Sequence, residues 1–179
     1  MSCWIPGAAL SDWYQLEDRL TAELTVVSDD PVWVRSASVT LTARTDLEYG
    51  GLDYPHDYPH DYKSSAANSM AIVNPFRLPA KCDIYIPGPC RDPYVIIAGN
   101  RYQVRTEVQE GQLLVIRGYG DREIVVRHSD GTERNAFAER VTDDDARPFA
   151  EIPVGRHTAS WSGSYNVEVV MYEERTSPW

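Results

Sequence analysis

The chain has 179 residues, of which 42% are apolar, 25% charged and 11% aromatic, and a formal net charge of −10. That length fits one domain, or one domain with a smaller appendage, and it can bury a substantial apolar core without metals or disulfides. The acidic balance excludes a general nucleic-acid binder, which needs excess Lys and Arg to displace counterions, and it excludes docking on anionic lipid.

The three cysteines, Cys3, Cys82 and Cys90, are too few and too odd in number for a disulfide scaffold, which points to reduced thiols made in a cytoplasm. No apolar run approaches the ~18 residues of a membrane span. The opening MSCWIPGAALSDW has neither a basic n-region nor a long apolar h-region, so no secretion signal is expected.

In chain order, residues 12–20 (DWYQLEDRL) predict two helical turns, with Asp12 as cap and Gln15 three residues on, although the stretch is short enough to be a strand or an arm. Residues 21–27 (TAELTVV) are rich in β-branched side chains and predict a strand. Residues 32–43 alternate in their second half, with Val39, Leu41 and Ala43 against Ser38, Thr40 and Thr42. Residues 94–98 (YVIIA) form a short apolar run, and Gly99-Asn100 reads as a two-residue hairpin turn. The return strand places Tyr102, Val104, Thr106 and Val108 on one face. Residues 112–117 and 123–127 continue the pattern, and Asp130-Gly131 marks a second hairpin returning through Glu133 to Phe137. Residues 141–147 (VTDDDAR) read as a loop. At the end, residues 157–162 and 165–172 are expected to pair around Ser162-Gly163-Ser164. Short strands at this spacing predict an all-β chain built as an antiparallel β-sandwich with a short N-terminal β piece or arm. The expected division is an arm over residues 1–50, a Tyr/Pro/His connector over 51–69 and the sandwich over 70–179.

The connector holds DYPHDYPHDYK, residues 53–63. Tyr54, His56, Tyr58, His60 and Tyr62 fall on even positions; Asp53, Pro55, Asp57, Pro59 and Asp61 fall on odd ones. In an extended chain this gives one aromatic face and one acidic, proline-bearing face. Each Pro pushes its predecessor out of the helical region, so the two His are not a helical metal pair. Extended, they stand roughly 13 Å apart, too far to share a zinc ion without a sharp turn. The segment therefore reads as a rigid aromatic edge strand or linker that docks on another surface, with Pro limiting uncontrolled pairing.

Motifs of catalysis are weak. No GxSxG, Walker loop or GxGxxG occurs, and Gly118-Tyr119-Gly120-Asp121 reads as a turn rather than a phosphate cradle. Glu151, Glu168, Glu173 and Glu174 carry no marker of an acid pair. His128 and His157 sit beside or within strands, where a hydrogen-bonded structural role is expected, and Cys82 has no local nucleophile signature. The expectation is a protein that is not an enzyme and holds no metal or cofactor.

The order of several further motifs resembles the distal tail proteins of long-tailed bacteriophages. The motifs are the Tyr-Pro repeat of residues 53–62, PGPCRDP at 87–93, Asn135-Ala136-Phe137, Ile152-Pro153-Val154-Gly155, Trp161-Ser162-Gly163 and the closing ERTSPW at 174–179; upstream, ELTVVSDDPVWV at 23–34 is similar to another element of the group. The resemblance spans roughly residues 20–179 and implies a C-terminal β-sandwich, galectin-like or jelly-roll-like. It implies a structural virion component at the end of the tail, assembled in the host cytoplasm. There such proteins form homo-oligomeric rings and contact tail tube, tape measure and hub or adhesion proteins. Relatives carry a longer N-terminal belt domain, whereas about fifty residues precede the repeat here. On this reading Tyr54, His56, Tyr58, His60, Tyr62 and Trp179 are the candidate partner-binding residues, since Tyr and Trp are enriched in binding cores. The other reading is a carbohydrate-binding module that recognises host cell-surface glycans by stacking sugars on aromatic rings.

Overall fold

A computed structural model describes residues 3–14, 19–28, 32–43 and 68–176. The chain divides into two compact units, Met1–Arg35 with Glu174–Trp179, and Ser36–Glu173. In the first unit, β1 (Cys3–Tyr14) and β2 (Arg19–Ser28) pair antiparallel from Cys3↔Ser28 to Tyr14↔Arg19, with register shifts between Trp4 and Gly7 and between Leu10 and Asp12. The helix expected over residues 12–20 is therefore not formed: Asp12–Tyr14 end one strand and Arg19 starts the next. The ladder satisfies backbone groups that two isolated helical turns would leave open.

The strands that follow are β3 (Trp33–Leu41), β4 (Asn68–Asn74), β5 (Lys81–Pro87), β6 (Cys90–Arg91), β7 (Tyr94–Ile97), β8 (Asn100–Gln103), β9 (Glu107–Val108), β10 (Leu113–Arg117), β11 (Glu123–Arg127), β12 (Glu133–Asn135), β13 (Gly155–Trp161) and β14 (Val167–Arg175), with one 3-10 turn at Phe137–Glu139. A six-stranded sheet has the order β12-β11-β10-β5-β14-β3, and a four-stranded sheet has the order β4-β13-β7-β8. The small pair β6-β9 stands apart from both. The chain is thus all-β, with two sheets packed face to face.

Alternation decides which side chains meet between the sheets. Cys82, Ile84 and Ile86 of β5, Leu114 and Ile116 of β10, Ile124 and Val126 of β11, and Val167, Val169 and Met171 of β14 line one side of the core. Ile72 of β4, Ala159 and Trp161 of β13, Val95 and Ile97 of β7 and Tyr102 of β8 line the other. On β3, Ala37, Val39 and Leu41 turn inward while Ser38 and Thr40 stay exposed, as the alternation predicts. Tyr102, Val104, Thr106 and Val108 are all buried, again as read from their spacing. Burying each large aliphatic side chain contributes about 1.5–3 kcal/mol.

Three turns connect these strands, two as hairpins each within one sheet and one between the sheets. The β7–β8 hairpin turns on Ala98-Gly99, not Gly99-Asn100: both residues have positive φ (51° and 85°), and Asn100 opens β8 opposite Ile97. A one-residue slip would turn Tyr102 out of the core. The Asp130-Gly131 hairpin forms as expected, with the Asp130 carboxylate accepting from the Thr132 N–H at 2.9 Å and the Thr132 hydroxyl at 2.7 Å. These bonds hold the Asp130 carboxyl below its usual range.

The expected hairpin around Ser162-Gly163-Ser164 is not a hairpin. β13 lies in the four-stranded sheet and β14 in the six-stranded one, so residues 162–166 form an arch crossing the core edge. The Trp161 indole N–H donates to the Tyr165 carbonyl at 2.9 Å, taking up an acceptor that a hairpin ladder would have used. The Tyr165 hydroxyl reaches back to Tyr94, donating to its carbonyl and accepting from its N–H, both at 2.8 Å. Gly163 has φ 80°, and a Cβ there would lie 1.5 Å from Asn68 Nδ2, which itself donates to the Ser162 carbonyl at 3.0 Å. Gly163→Ala is expected to cost about 2–3 kcal/mol, combining left-handed strain with loss of that bond. Urea denaturation measures it, and a loss below about 0.5 kcal/mol would refute the crowding.

Candidate functional site

The residues named from sequence as partner-binding, Tyr54, His56, Tyr58, His60, Tyr62 and Trp179, lie outside the described residues.

The outer face of the six-stranded sheet follows from register. One cross-strand row runs Asn135–Val125–Val115–Tyr85–Glu168, and the next runs Glu123–Arg117–Asp83–Val170. Asp83 is the buried polar centre of this face, at 5% exposure. Its Oδ1 accepts from the backbone N–H groups of Gly118 and Tyr119 at 2.9 and 3.0 Å. Its Oδ2 accepts from the Tyr172 hydroxyl at 3.2 Å and, more weakly, from the Tyr85 hydroxyl at 3.5 Å. Burial, and then the adjacent carboxylate, push both phenols up. Tyr119 stacks on Tyr172 with centroids 4.3 Å apart, and Lys81 Nζ stands 5.9 Å from the Tyr119 centroid. The Gly118–Asp121 segment is thus a turn, and the two amides that open it are occupied by a carboxylate of the chain itself.

Beside this centre, Arg117 pairs with Glu123 and reaches Glu133 at 3.6 Å, while Arg127 meets Glu133 at 2.8 Å. The Arg117–Glu133 contact spans β11, on which Val125 is buried although its register faces it away from the core. Arg134 pairs with Glu139 and donates to Thr106 Oγ1 at 2.7 Å; the Arg134 guanidinium, and then the Thr106 hydroxyl, hold the Glu139 carboxyl below its usual range.

The outer face of the four-stranded sheet is more open. Arg101 stacks over Tyr94, 4.8 Å from the ring centroid, and its backbone N–H donates to the Asp145 carbonyl at 2.7 Å. A groove of about 1040 Å³ runs between Ile96, Gly99 and Arg101 on the sheet and the 142–146 loop, which contributes Asp143, Asp144 and Asp145. A second groove of about 590 Å³ follows the β4 edge, lined by Ser69, Met70, Ala71, Arg156, His157 and Thr158.

The two described histidines have structural partners, as expected. His128 Nδ1 meets the Gln112 side-chain amide at 3.0 Å, and His157 Nε2 meets the carbonyls of Pro153 and Val154 at 3.0 and 3.2 Å. Among the described residues no cluster of three or more His, Cys, Asp or Glu is arranged to hold a metal, no buried side-chain polar atom lacks a partner, and no helix is long and apolar enough to cross a membrane.

Cys82 and Cys90 are free thiols, pushed up by burial to about 12 and about 11. An unfolded thiol ionises near pH 8.5. Above that value the unfolded chain sheds the Cys82 proton while the folded chain keeps it. The stabilisation is complete below that pH and is lost as pH rises toward the folded value. Stability is expected to fall by about 1 kcal/mol between pH ~8 and ~9.5 through Cys82 alone, and Cys82→Ala removes that part of the slope in urea titrations.

Asp83, Tyr85, Tyr119 and Tyr172 escaped the sequence reading. Their signal was the period-two series Lys81, Asp83, Tyr85 opposite Cys82, Ile84, Ile86, which a single acidic residue inside an apolar run obscures. No protein-family model matches the chain, and neither the curated proteins nor the solved structures contain a match.

Proposed function

We propose that this protein is a structural adaptor of a bacteriophage tail tip, joining the tail tube to the baseplate or adhesion device through protein–protein contacts. The observation that supports this reading is where the motifs of the resemblance fall. PGPCRDP spans the β5–β6–β7 connection, Asn135-Ala136-Phe137 is the turn from β12 into the 3-10 segment, Ile152-Pro153-Val154-Gly155 leads into β13, and Trp161-Ser162-Gly163 opens the arch. Each lies in or beside a connection between strands of the sandwich. A scaffold of this kind works by presenting surfaces. Its outer faces offer Tyr85, Tyr119, Tyr172 and the Tyr94–Arg101 stack as rigid aromatic contacts.

Light scattering on the purified chain, followed by labelled imaging of virions, tests the proposal. A closed ring in solution and label at the tail tip are the expected results; a monomer absent from particles overturns it. The carbohydrate reading is favoured by one feature, the 1040 Å³ groove in which Arg101, Thr142 and three aspartates offer partners for sugar hydroxyls. Binding on a glycan array, abolished by Arg101→Ala, would decide for it.

A further inference from the structure

We propose that the edge of β4 is an interaction surface for a second copy of this chain, with β4 pairing antiparallel to β4 of that copy about a twofold axis at Ala71. The four-stranded sheets of the two copies then run on as one. The proposal rests on the β4 edge alone and is independent of the tail-tip reading.

One bond fixes the direction of the backbone groups on β4. The Ala98 N–H donates to the Thr158 carbonyl at 3.3 Å, so Thr158 turns its backbone groups toward the β7 side of β13. Successive residues of a strand turn theirs to opposite sides. His157, Ala159 and Trp161 therefore face β4, where their partners are Ile72, Met70 and Asn68. The N–H and C=O groups of Ser69, Ala71 and Val73 consequently point to the other side, where β4 has no neighbour among the described residues. Two other edges are closed or blunted. The β8 edge is covered by the 139–145 segment: Arg101 N–H donates to the Asp145 carbonyl at 2.7 Å, Val141 N–H to Gln103 at 3.0 Å and Arg105 N–H to Glu139 at 2.8 Å. β12 has only three residues, Glu133 and Arg134 among them. β4 has seven, with no Lys, Pro or charge to discourage pairing.

Backbone and side chains select the register. A twofold at Ala71 sets that residue opposite its own counterpart, and Ser69 of each copy opposite Val73 of the other. Each such pair exchanges both of its N–H···O bonds. Moving the axis to Ile72 would set Ser69 opposite Pro75, which has no N–H to return. On the outer face the opposed side chains are Ala71 with Ala71 and Ser69 with Val73, short enough for the strands to close. On the core side Met70 comes opposite Ile72 of the second copy. Met70 shares the face of Ile72, yet it is 39% exposed where Ile72 is 0%. The core runs out at this edge, and a second β4 continues it.

Charge favours contact along this strip. Copies of a chain with net charge −10 repel one another over most of their surfaces. β4 is uncharged, and the 590 Å³ groove beside it presents Arg156 and His157 and no carboxylate. Arg156 pairs with Val73, so the twofold places the arginines of the two copies at opposite ends of the shared ladder. They then stand roughly 20 Å apart, well beyond the ~8 Å Debye length of physiological salt. The ladder is short, which puts the contact in the weak class below ~1,200 Å² and makes pairing dependent on protein concentration.

Cysteine cross-linking of the full chain tests the register. Residues of a hydrogen-bonded antiparallel pair have Cα atoms ~5.5 Å apart, within reach of a disulfide. Ala71→Cys is expected to give a disulfide-linked dimer at least ~10-fold faster than the unaltered chain or Ser69→Cys, whose counterpart is Val73. Sedimentation equilibrium should show a monomer–dimer exchange that Ala71→Pro abolishes, since it removes an outward N–H. Val73→Lys, which leaves the β4–β13 bonds in place, should weaken the dimer at least ~10-fold. A monomer at every concentration, equal cross-linking from positions 69 and 71, or a dimer indifferent to Val73→Lys overturns the proposal. So does protection of the Ser69, Ala71 and Val73 amides in hydrogen exchange that is independent of concentration, which would assign this edge to a segment of the same chain.

Discussion

Asp83→Ala is expected to lower the unfolding free energy by about 3–5 kcal/mol, read as a lower urea midpoint at unchanged slope. The carboxylate is buried and receives two backbone N–H groups and two phenolic hydroxyls. Removing it takes the carboxylate partner from the part-buried Tyr119 amide and Tyr172 hydroxyl. The Gly118 amide is less exposed to the loss, because it also donates to the Cys82 carbonyl at 3.1 Å. Asp83→Asn keeps an oxygen for the two amides and can donate to a phenol oxygen, so its cost should be smaller, about 1–2 kcal/mol. Equal losses for the two substitutions would mean that the centre acts through charge alone and not through its bond geometry.

Trp161→Ala should cost a comparable amount, about 3–5 kcal/mol, from lost burial and the cavity left behind. Trp161 is buried at the end of β13, and its indole fixes the Tyr165 carbonyl where the chain changes sheets. Trp161→Phe retains a ring but leaves that carbonyl without its donor, for a loss of about 1–3 kcal/mol. Near-UV circular dichroism separates the roles: Phe should preserve a folded tertiary signal and Ala should broaden the transition. A Phe variant as unstable as the Ala variant would show that the hydrogen bond, and not packing, holds the arch.

The sequence was informative where one face of a strand is wet. Val39 and Leu41 against Ser38 and Thr40, and the Tyr102–Val108 series, have their inward face written into their spacing. β10 and β11 were harder to orient. Val115 and Val125 fall on the outward register of their strands yet are buried. Both strands therefore read as continuous apolar runs with no visible polarity. The arch was misread for another reason. Ser162-Gly163-Ser164 has the composition of a hairpin turn, and nothing local says that the next strand pairs with β5 in the other sheet. Asp83 was hidden because its partners come from Gly118, Tyr119 and Tyr172, far away in sequence. The polar centre is a product of topology, and spacing along one strand does not reveal it.

The Ala43 N–H donates to Asn166 Oδ1 at 2.7 Å and Asn68 Nδ2 to the Ser162 carbonyl, and this mooring to one arch has an evolutionary side. Two fixed anchor points on the same short span make the intervening stretch a cassette. Loop-closure entropy changes by only about 0.6 kcal/mol when such a stretch doubles in length. Repeats can therefore be gained or lost between the anchors while the core below keeps its register. A four-residue duplication such as the one in this chain is the kind of change that this architecture absorbs at little thermodynamic risk.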